Sequence, residues 1–465
     1  MKEVICLKCV PNSGRQNQSP MRSLFRPNLL KTGLLICIAV LSVTGTTWAQ
    51  AGQLDTTFAT KGIFLLNPIG QQGGSTRVAL QTDGKIVLAS PSGDPQQSNN
   101  GIALVRLNTD GAPDASFGTA GVVVYGVDRT VPVGVAIQPD GKILVGSTAG
   151  ANTDGGGTAL ARFNSNGSVD SSFGTGGHVE LLFSGIARSA AIALQQDGKI
   201  LMTGSNLLAR LDSNGQLDTS FGTGGVSALP FSGAAAIAVQ SDGKILIASS
   251  SQALDFNLDG IIVRFNPNGT LDKTFGLFGQ IASVTSGGAF GPSDVAAVSS
   301  IVLQADGKFI VAGAITSKLI SPPGTNRTGF GLIRYNGNGS IDTSFGNGGG
   351  ILTNFGPNPN ATAFAVAIQS NGDIIAAGQA GTADPNNPLL LSPGNLALSR
   401  YSSAGKLDPT FGARGIVTTS LGSNASAISS LAIQSDGKIV AAGSSFSFSG
   451  PTSQAQAAVA RYLAQ

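Results

Sequence analysis

Side-chain chemistry needs groups that can gather, and this 465-residue chain offers few. It has one histidine, His178, two residues from Glu180. Positions two apart on a strand face the same way, so the two can touch, and they read first as a surface pair. Carboxylates are the larger resource. Asp128, Asp154, Asp294 and Asp384, with Asp255 and Asp259, fall between recurring motifs rather than inside them. Paired carboxylates roughly 5–10 Å apart are the machinery of glycoside cleavage. Lys318 and Arg327 also lie outside the motifs and add cations to the same set. Other constellations are missing. Cys6 and Cys9 make a single CxxC with no second half for a zinc site. One histidine excludes a multi-histidine metal centre. Gly155-Gly156-Gly157 lacks the Lys and Ser/Thr of a phosphate loop. No cofactor and no metal is expected.

The elements that must position these groups are written seven times. One motif reads A-[IV]-x-Q-x-D-G-K-[IF]. The other reads L-x-R-[FY]-N-x-[ND]-G-x-[LV]-D-x-[ST]-F-G-x-x-G. The D-G turn recurs at Asp83, Asp140, Asp197, Asp242, Asp306 and Asp436, with Asn371 once in its place. The arginine recurs at Arg106, Arg162, Arg210, Arg264, Arg334, Arg400 and Arg461, and the phenylalanine at Phe58, Phe117, Phe173, Phe221, Phe275, Phe345 and Phe411. Repetition on this scale means a propeller, a solenoid or an array. Each unit reads as four short strands, a to d. In the second unit these are Val133 to Gln138, Lys142 to Gly146, Ala159 to Phe163 and Gly177 to Leu182, with Asp140-Gly141 as a hairpin turn because glycine tolerates positive φ. Four antiparallel strands without a helical period make a blade, and seven arginines give an all-β, seven-bladed propeller. The chain opens on a d strand (Gly62 to Leu66) and closes on a c strand (Ala458 to Tyr462). Pairing these two completes the last blade and leaves no open edge.

Sevenfold recurrence also assigns roles. The phenylalanine is a plug between blades, the aspartate of D-x-[ST]-F accepts from its own following backbone, and the arginine pairs with that aspartate across the c–d turn. One aspartate per D-G turn is too little for calcium, which takes six to eight oxygens. From arginine to phenylalanine the count is eleven in all six unbroken copies, whereas from turn glycine to arginine it swings between 12 (Gly198 to Arg210) and 28 (Gly372 to Arg400). Strand direction alternates, so a–b and c–d turns share one face and b–c and d–a loops share the other. The variable face is where a ligand is expected, because loops on a rigid scaffold carry function. Its longest loops are Ile315 to Gly329 and Gln379 to Gly394. The candidate binding set is therefore Asp128, Asp154, Asp294, Lys318, Arg327 and Asp384.

The first 51 residues read as an export leader. Arg22, Arg26 and Lys31 precede an apolar run from Leu34 to Val43 and the small-residue site Ala49-Gln50-Ala51, with Met21 as an alternative start. The propeller then spans residues 52–465. All three cysteines (Cys6, Cys9, Cys37) and the single tryptophan, Trp48, precede the cut. So do Lys2, Lys8, Arg15, Arg22, Arg26, Lys31 and Glu3, which turns a net charge of +3 into −2. No basic footprint for nucleic acid survives, and no later segment is long and apolar enough to span a membrane. The expected form is a monomer, secreted or periplasmic, with a protein or glycan as partner.

The two motifs together closely resemble the delta-60 repeat family, a bacterial β-propeller domain without assigned function, over essentially the whole chain after the leader. Small departures occur at Ala59, Pro113, Asn371-Gly372-Asp373 and Ser402. The resemblance implies export and brings no catalytic residues. The expected function is a non-enzymatic binding scaffold at the cell envelope or outside the cell. The alternative is a carbohydrate hydrolase or lyase using aspartates at the channel mouth.

Overall fold

Runs of small and β-branched residues, cut every few positions by a turn, pair with their neighbours in sequence because the turns are too short for anything else. The computed structural model describes residues 50–66, 76–92, 101–126, 131–149, 157–182, 191–204, 206–231, 233–252, 258–281, 295–317, 327–356, 359–384, 387–422, 425–449 and 452–465. These form seven four-stranded antiparallel sheets. Blade one is Arg77–Leu80, Ile86–Ser92, Gly101–Leu107 and Val122–Tyr125, and five more follow in chain order. Blade seven joins the chain ends: Ala425–Ile433, Ile439–Ser449 and Thr452–Tyr462 take Ile63–Leu66 as the fourth strand, with Ile63 opposite Ala460 and Leu66 opposite Ala457.

The D-G hairpin shows why glycine is required. Gln138 N–H donates to Lys142 O at 2.8 Å and Gly141 N–H to Gln138 O at 2.9 Å, closing a three-residue loop. Gly141 sits at φ 82°, open to a residue without Cβ. Asp140 Oδ1 accepts from Lys142 N–H at 3.1 Å.

Blades stack face to face, and the apolar core is divided among their seams. Phe117 is fully buried among Val87, Leu104, Ile143 and Phe163 of blades one and two. Phe58 does the same between blades seven and one. Each such ring contributes about 2 kcal/mol by burial. The first strands pack on one another all round the ring, Arg77–Leu80 against both Pro132–Ile137 and Ala425–Ile433, so the a strands are innermost.

The ring is not uniform. The inner strands of blades five, six and seven run 9, 10 and 9 residues (Val295–Leu303, Pro359–Ile368, Ala425–Ile433), against 4, 6, 3 and 4 in blades one to four. Each long strand carries a bulge, between Val298 and Ser300, Ala363 and Ala365, and Ile428 and Ser430. Of the two segments read as long loops, Gln379 to Gly394 is largely ladder, whereas Ile315 to Gly329 pairs at its two ends, residues 318–326 lying outside the described ones. Ile374–Asp384 pairs with Asn387–Tyr401 out to Asp384 opposite Asn387, and Phe309–Ser317 pairs with Arg327–Tyr335. Blade seven adds a ribbon of the same kind, out to Ser449 opposite Thr452. These ribbons satisfy their backbone groups in pairs, so they need no hydrophobic alternation to be strands.

Candidate functional site

Each c strand brings an arginine to the same place. In blade two, Arg162 Nε donates to Asp170 Oδ2 at 2.8 Å. Its guanidinium carbon lies 4.5 Å from the centroid of the Phe173 ring, close enough for cation–π attraction. Nη1 donates to Ser213 O in the turn of blade three. The arginine therefore locks its own turn and clamps the next blade. Asp170 Oδ1 accepts from the amide and hydroxyl of Ser172 at 3.2 and 2.6 Å. Lys142 Nζ, from the D-G turn, stands 3.2 Å from Asp170 Oδ2, which puts the a–b and c–d turns on one face.

The same set recurs around the ring: Arg106 with Asp114, Arg210 with Asp218, Arg264 with Asp272, Arg334 with Asp342 and Arg400 with Asp408. Arg461 and Asp55 close it across the chain ends at 3.0 Å, and Arg461 lies over Phe58. The carboxylates are held below their ordinary range. For Asp114 the Lys85 ammonium acts first, then Ser116. For Asp55 burial pushes up, but Thr57, Lys438 and Arg461 outweigh it and leave the group at about 2. Groups that satisfy one another so fully leave nothing for a ligand, and this face is structural.

Blade six departs. Asp373 stands where the other blades have lysine, and its carboxylate accepts from Asn371 Nδ2 at 2.8 Å. Asp408 keeps Arg400, at 2.7 Å, but has no lysine.

On the other face, Asp384 ends the second strand of blade six and Arg327 opens the third of blade five. Asp128, Asp154, Asp294 and Lys318 lie outside the described residues, as do Asp255, Gly155 and Gly156. Asp384 and Arg327 are thus the members of the set that the structure places, both on the face carrying the b–c connections. His178 and Glu180 share the outermost strand of blade two, opposite Ala161 and Ala159, with Glu180 exposed. An open trough of about 820 Å³ lies beside Thr57, Ile63, Phe64, Leu65, Pro113 and Leu421. Its one carboxylate, Asp110, is tied to the Ala112 amide of its own turn at 2.9 Å.

One residue escaped the sequence reading. Arg77 begins the innermost strand of blade one, and its Nη1 donates to Ser429 O of blade seven at 2.9 Å. Its Nε is buried without a partner. The signal was present in the repeat: at the same distance before the motif glutamine the other copies have Gly134, Ala191, Ala236, Ser300, Ala365 and Ser430.

Six stretches, residues 81–117, 138–173, 195–221, 240–275, 304–345 and 434–464, match a family model described as a domain of unknown function (DUF5122) beta-propeller. Over these six stretches the chain is similar to the DUF5122 β-propeller repeat. The matched DUF5122 stretches fall in blades one to five and blade seven. Curated proteins give no match. Among solved structures the chain is similar to a protein of unknown function from Dyadobacter fermentans, at 10% identity over 86% of this chain and 100% of that one, TM-score 0.40. It is also similar to a Penicillium chrysogenum α-L-arabinanase complexed with arabinobiose, at 12% identity over 85% and 96%, TM-score 0.41. Likenesses this distant carry no statement of activity.

Proposed function

We propose that the protein is an exported binding scaffold of the delta-60 repeat type, acting as a monomer at the cell envelope or outside the cell. Its b–c and d–a face takes a protein or glycan partner. One observation carries this reading: the two faces are built differently. The a–b and c–d face repeats one self-satisfied Arg–Asp–Phe unit in every blade. The other face varies from a five-residue hairpin pair in blade three (Ile200–Gly204, Leu207–Leu211) to the 11- and 15-residue ribbon of blade six. A rigid disc with one variable face suits recognition. The carbohydrate-cleaving alternative draws on the aspartates of the variable-face loops, of which Asp128, Asp154, Asp255 and Asp294 lie outside the described residues.

The test is to replace residues 381–394 and 446–455 by Asn-Gly turns, leaving the cores of blades six and seven intact. The trimmed and wild-type proteins are then compared on a glycan array and against purified envelope proteins. The reading expects wild-type binding and its loss on trimming at an unchanged melting temperature. A trimmed protein that keeps the partner places the site elsewhere. Release of oligosaccharides from any polymer by the wild type replaces the scaffold with an enzyme.

A further inference from the structure

The seven inner strands are made of apolar, small and hydroxyl-bearing residues apart from Asn360, with one charge among all of them, Arg77. The six equivalent positions hold nothing larger than serine, for a steric reason. A Cβ on Gly134 would come within 2.6 Å of Ile192 in the next blade. A long side chain has no room inside such a seam. The Arg77 guanidinium instead reaches the inner junction of blades seven and one, where Nη1 meets Ser429 O. Ser429 is the residue passed over by the bulge between Ile428 and Ser430, so its carbonyl is not used by the ladder.

The electrostatics are unbalanced. Every repeat arginine has an aspartate within 3.0 Å. Arg77 has none among the described residues. Burial is what acts on its guanidinium, pushing its proton affinity down, with no carboxylate to offset it. The residue as a whole is not fully buried. A buried guanidinium without a counter-charge is costly. Its planar fork also matches a carboxylate or a phosphate through two parallel hydrogen bonds. Ser430, the residue after Ser429, lies at the same seam: its Oγ accepts from Val78 N–H at 3.2 Å and keeps its own hydrogen to give. The strand runs from Arg77 towards the turn at Gln81, so Arg77 lies at the end facing the variable loops.

We propose that the inner seam of blades seven and one is an oxyanion site, in which Arg77, supported by Ser430, binds a carboxylate or phosphate group presented from the variable face. This names the ligand class of the proposed binding face and rests on that reading. The site itself is tested without any partner.

The wild type, Arg77→Lys and Arg77→Ala are titrated at low ionic strength with sodium glucuronate and, separately, with inorganic phosphate. The readouts are melting temperature and calorimetry. Arg77→Ala restores the residue type of the other blades and is expected to fold, with a melting temperature at or above that of the unliganded wild type. One of the two anions should stabilise the wild type, bind Arg77→Lys at least tenfold more weakly and leave Arg77→Ala unchanged. The anion that works separates an acidic sugar from a phosphate source. Equal stabilisation of wild type and Arg77→Ala, or of neither by either anion, overturns the site. So does a lower melting temperature of unliganded Arg77→Ala, because the guanidinium would then stabilise the seam without any added anion. The hairpin-trimmed protein separates the two levels. If it keeps the oxyanion and the partner, the binding-face reading fails while the site stands.

Discussion

Replacing Arg162 by alanine tests whether the repeated arginine is the clamp between blades. The structure supplies the magnitude. The substitution removes a charged hydrogen bond of 2.8 Å to Asp170, the donor to Ser213 O in blade three, and a cation 4.5 Å from the Phe173 ring centroid. Breaking a buried pair by removing one partner costs about 3–5 kcal/mol. Arg162 and Asp170 qualify, at 3% and 7% exposure. The lower end applies, because the half-exposed Lys142 remains 3.2 Å from Asp170 and keeps the carboxylate paired. The expected loss is about 3 kcal/mol. In a double-mutant cycle with Asp170→Asn, about 2 kcal/mol of it should appear as coupling between the two residues, since a charged hydrogen bond contributes about 1.5–3 kcal/mol. Asparagine preserves the acceptor for Ser172, so the turn itself survives that substitution. The assay is urea unfolding followed by circular dichroism, with hydrogen exchange to report whether blades two and three open first. A loss under about 1 kcal/mol would refute the clamp, and an equal loss in the Asp170→Asn background would remove the Asp170 pairing from it, leaving the bond to Ser213 O and the ring contact.

Three further outcomes follow from the same geometry. Asp373→Lys in blade six should raise stability by about 0.5 kcal/mol, the value of a partly exposed pair, by giving Asp408 the ammonium that the other aspartates have at 2.9–3.2 Å. An unchanged or lower melting temperature counts against that pairing. The ring aspartates have folded-state pKa values below the unfolded value of about 3.9, so their contribution is complete above that pH and lost as pH falls through the folded values. Stability should hold from pH 7 to 5 and decline below about 4, with Asp55 protonating near 2; a decline already above pH 5 would contradict this. Finally, the proposed export leader, which the sequence places over residues 1–51, should be cut two residues earlier, after Ala49, giving Gln50 as the first residue by intact mass. Ala51 is 6% exposed and its carbonyl accepts from Gly412 N–H at 2.8 Å. The same interblade bond is made by Asp110, Asn166, Asn214, Asn268, Asn338 and Ala404 elsewhere in the ring. A mature chain starting at Gly52 would lack it and would refute the assignment.

That last point shows how the chain ends meet. Gly52 N–H donates to Leu463 O and Leu463 N–H to Gln53 O, both at 2.9 Å. They match Gly111 to Asn108 O and Asn108 to Ala112 O within blade one, at 2.9 and 2.8 Å. The ring is closed inside a turn whose two halves come from opposite ends of the chain.

Much of this was written in the residues. Seven copies of Arg–Asp–Phe, eleven residues from arginine to phenylalanine, fixed turn chemistry and strand phase locally, and local rules decide those things. The opening d strand and closing c strand were out of phase by one strand, which is enough to require their pairing. Three things waited for the tertiary structure. Arg162 binds its own aspartate eight residues away, but also a carbonyl 51 residues on, and only stacking brings that carbonyl near. Gln379 to Gly394 in blade six and the two ends of Ile315 to Gly329 in blade five read as loops because hydrogen bonds to the adjacent strand, not an apolar pattern, make them strands. Arg77 is exceptional in the sequence, but its unbalanced charge exists only because blade seven, some 350 residues later, folds back against blade one.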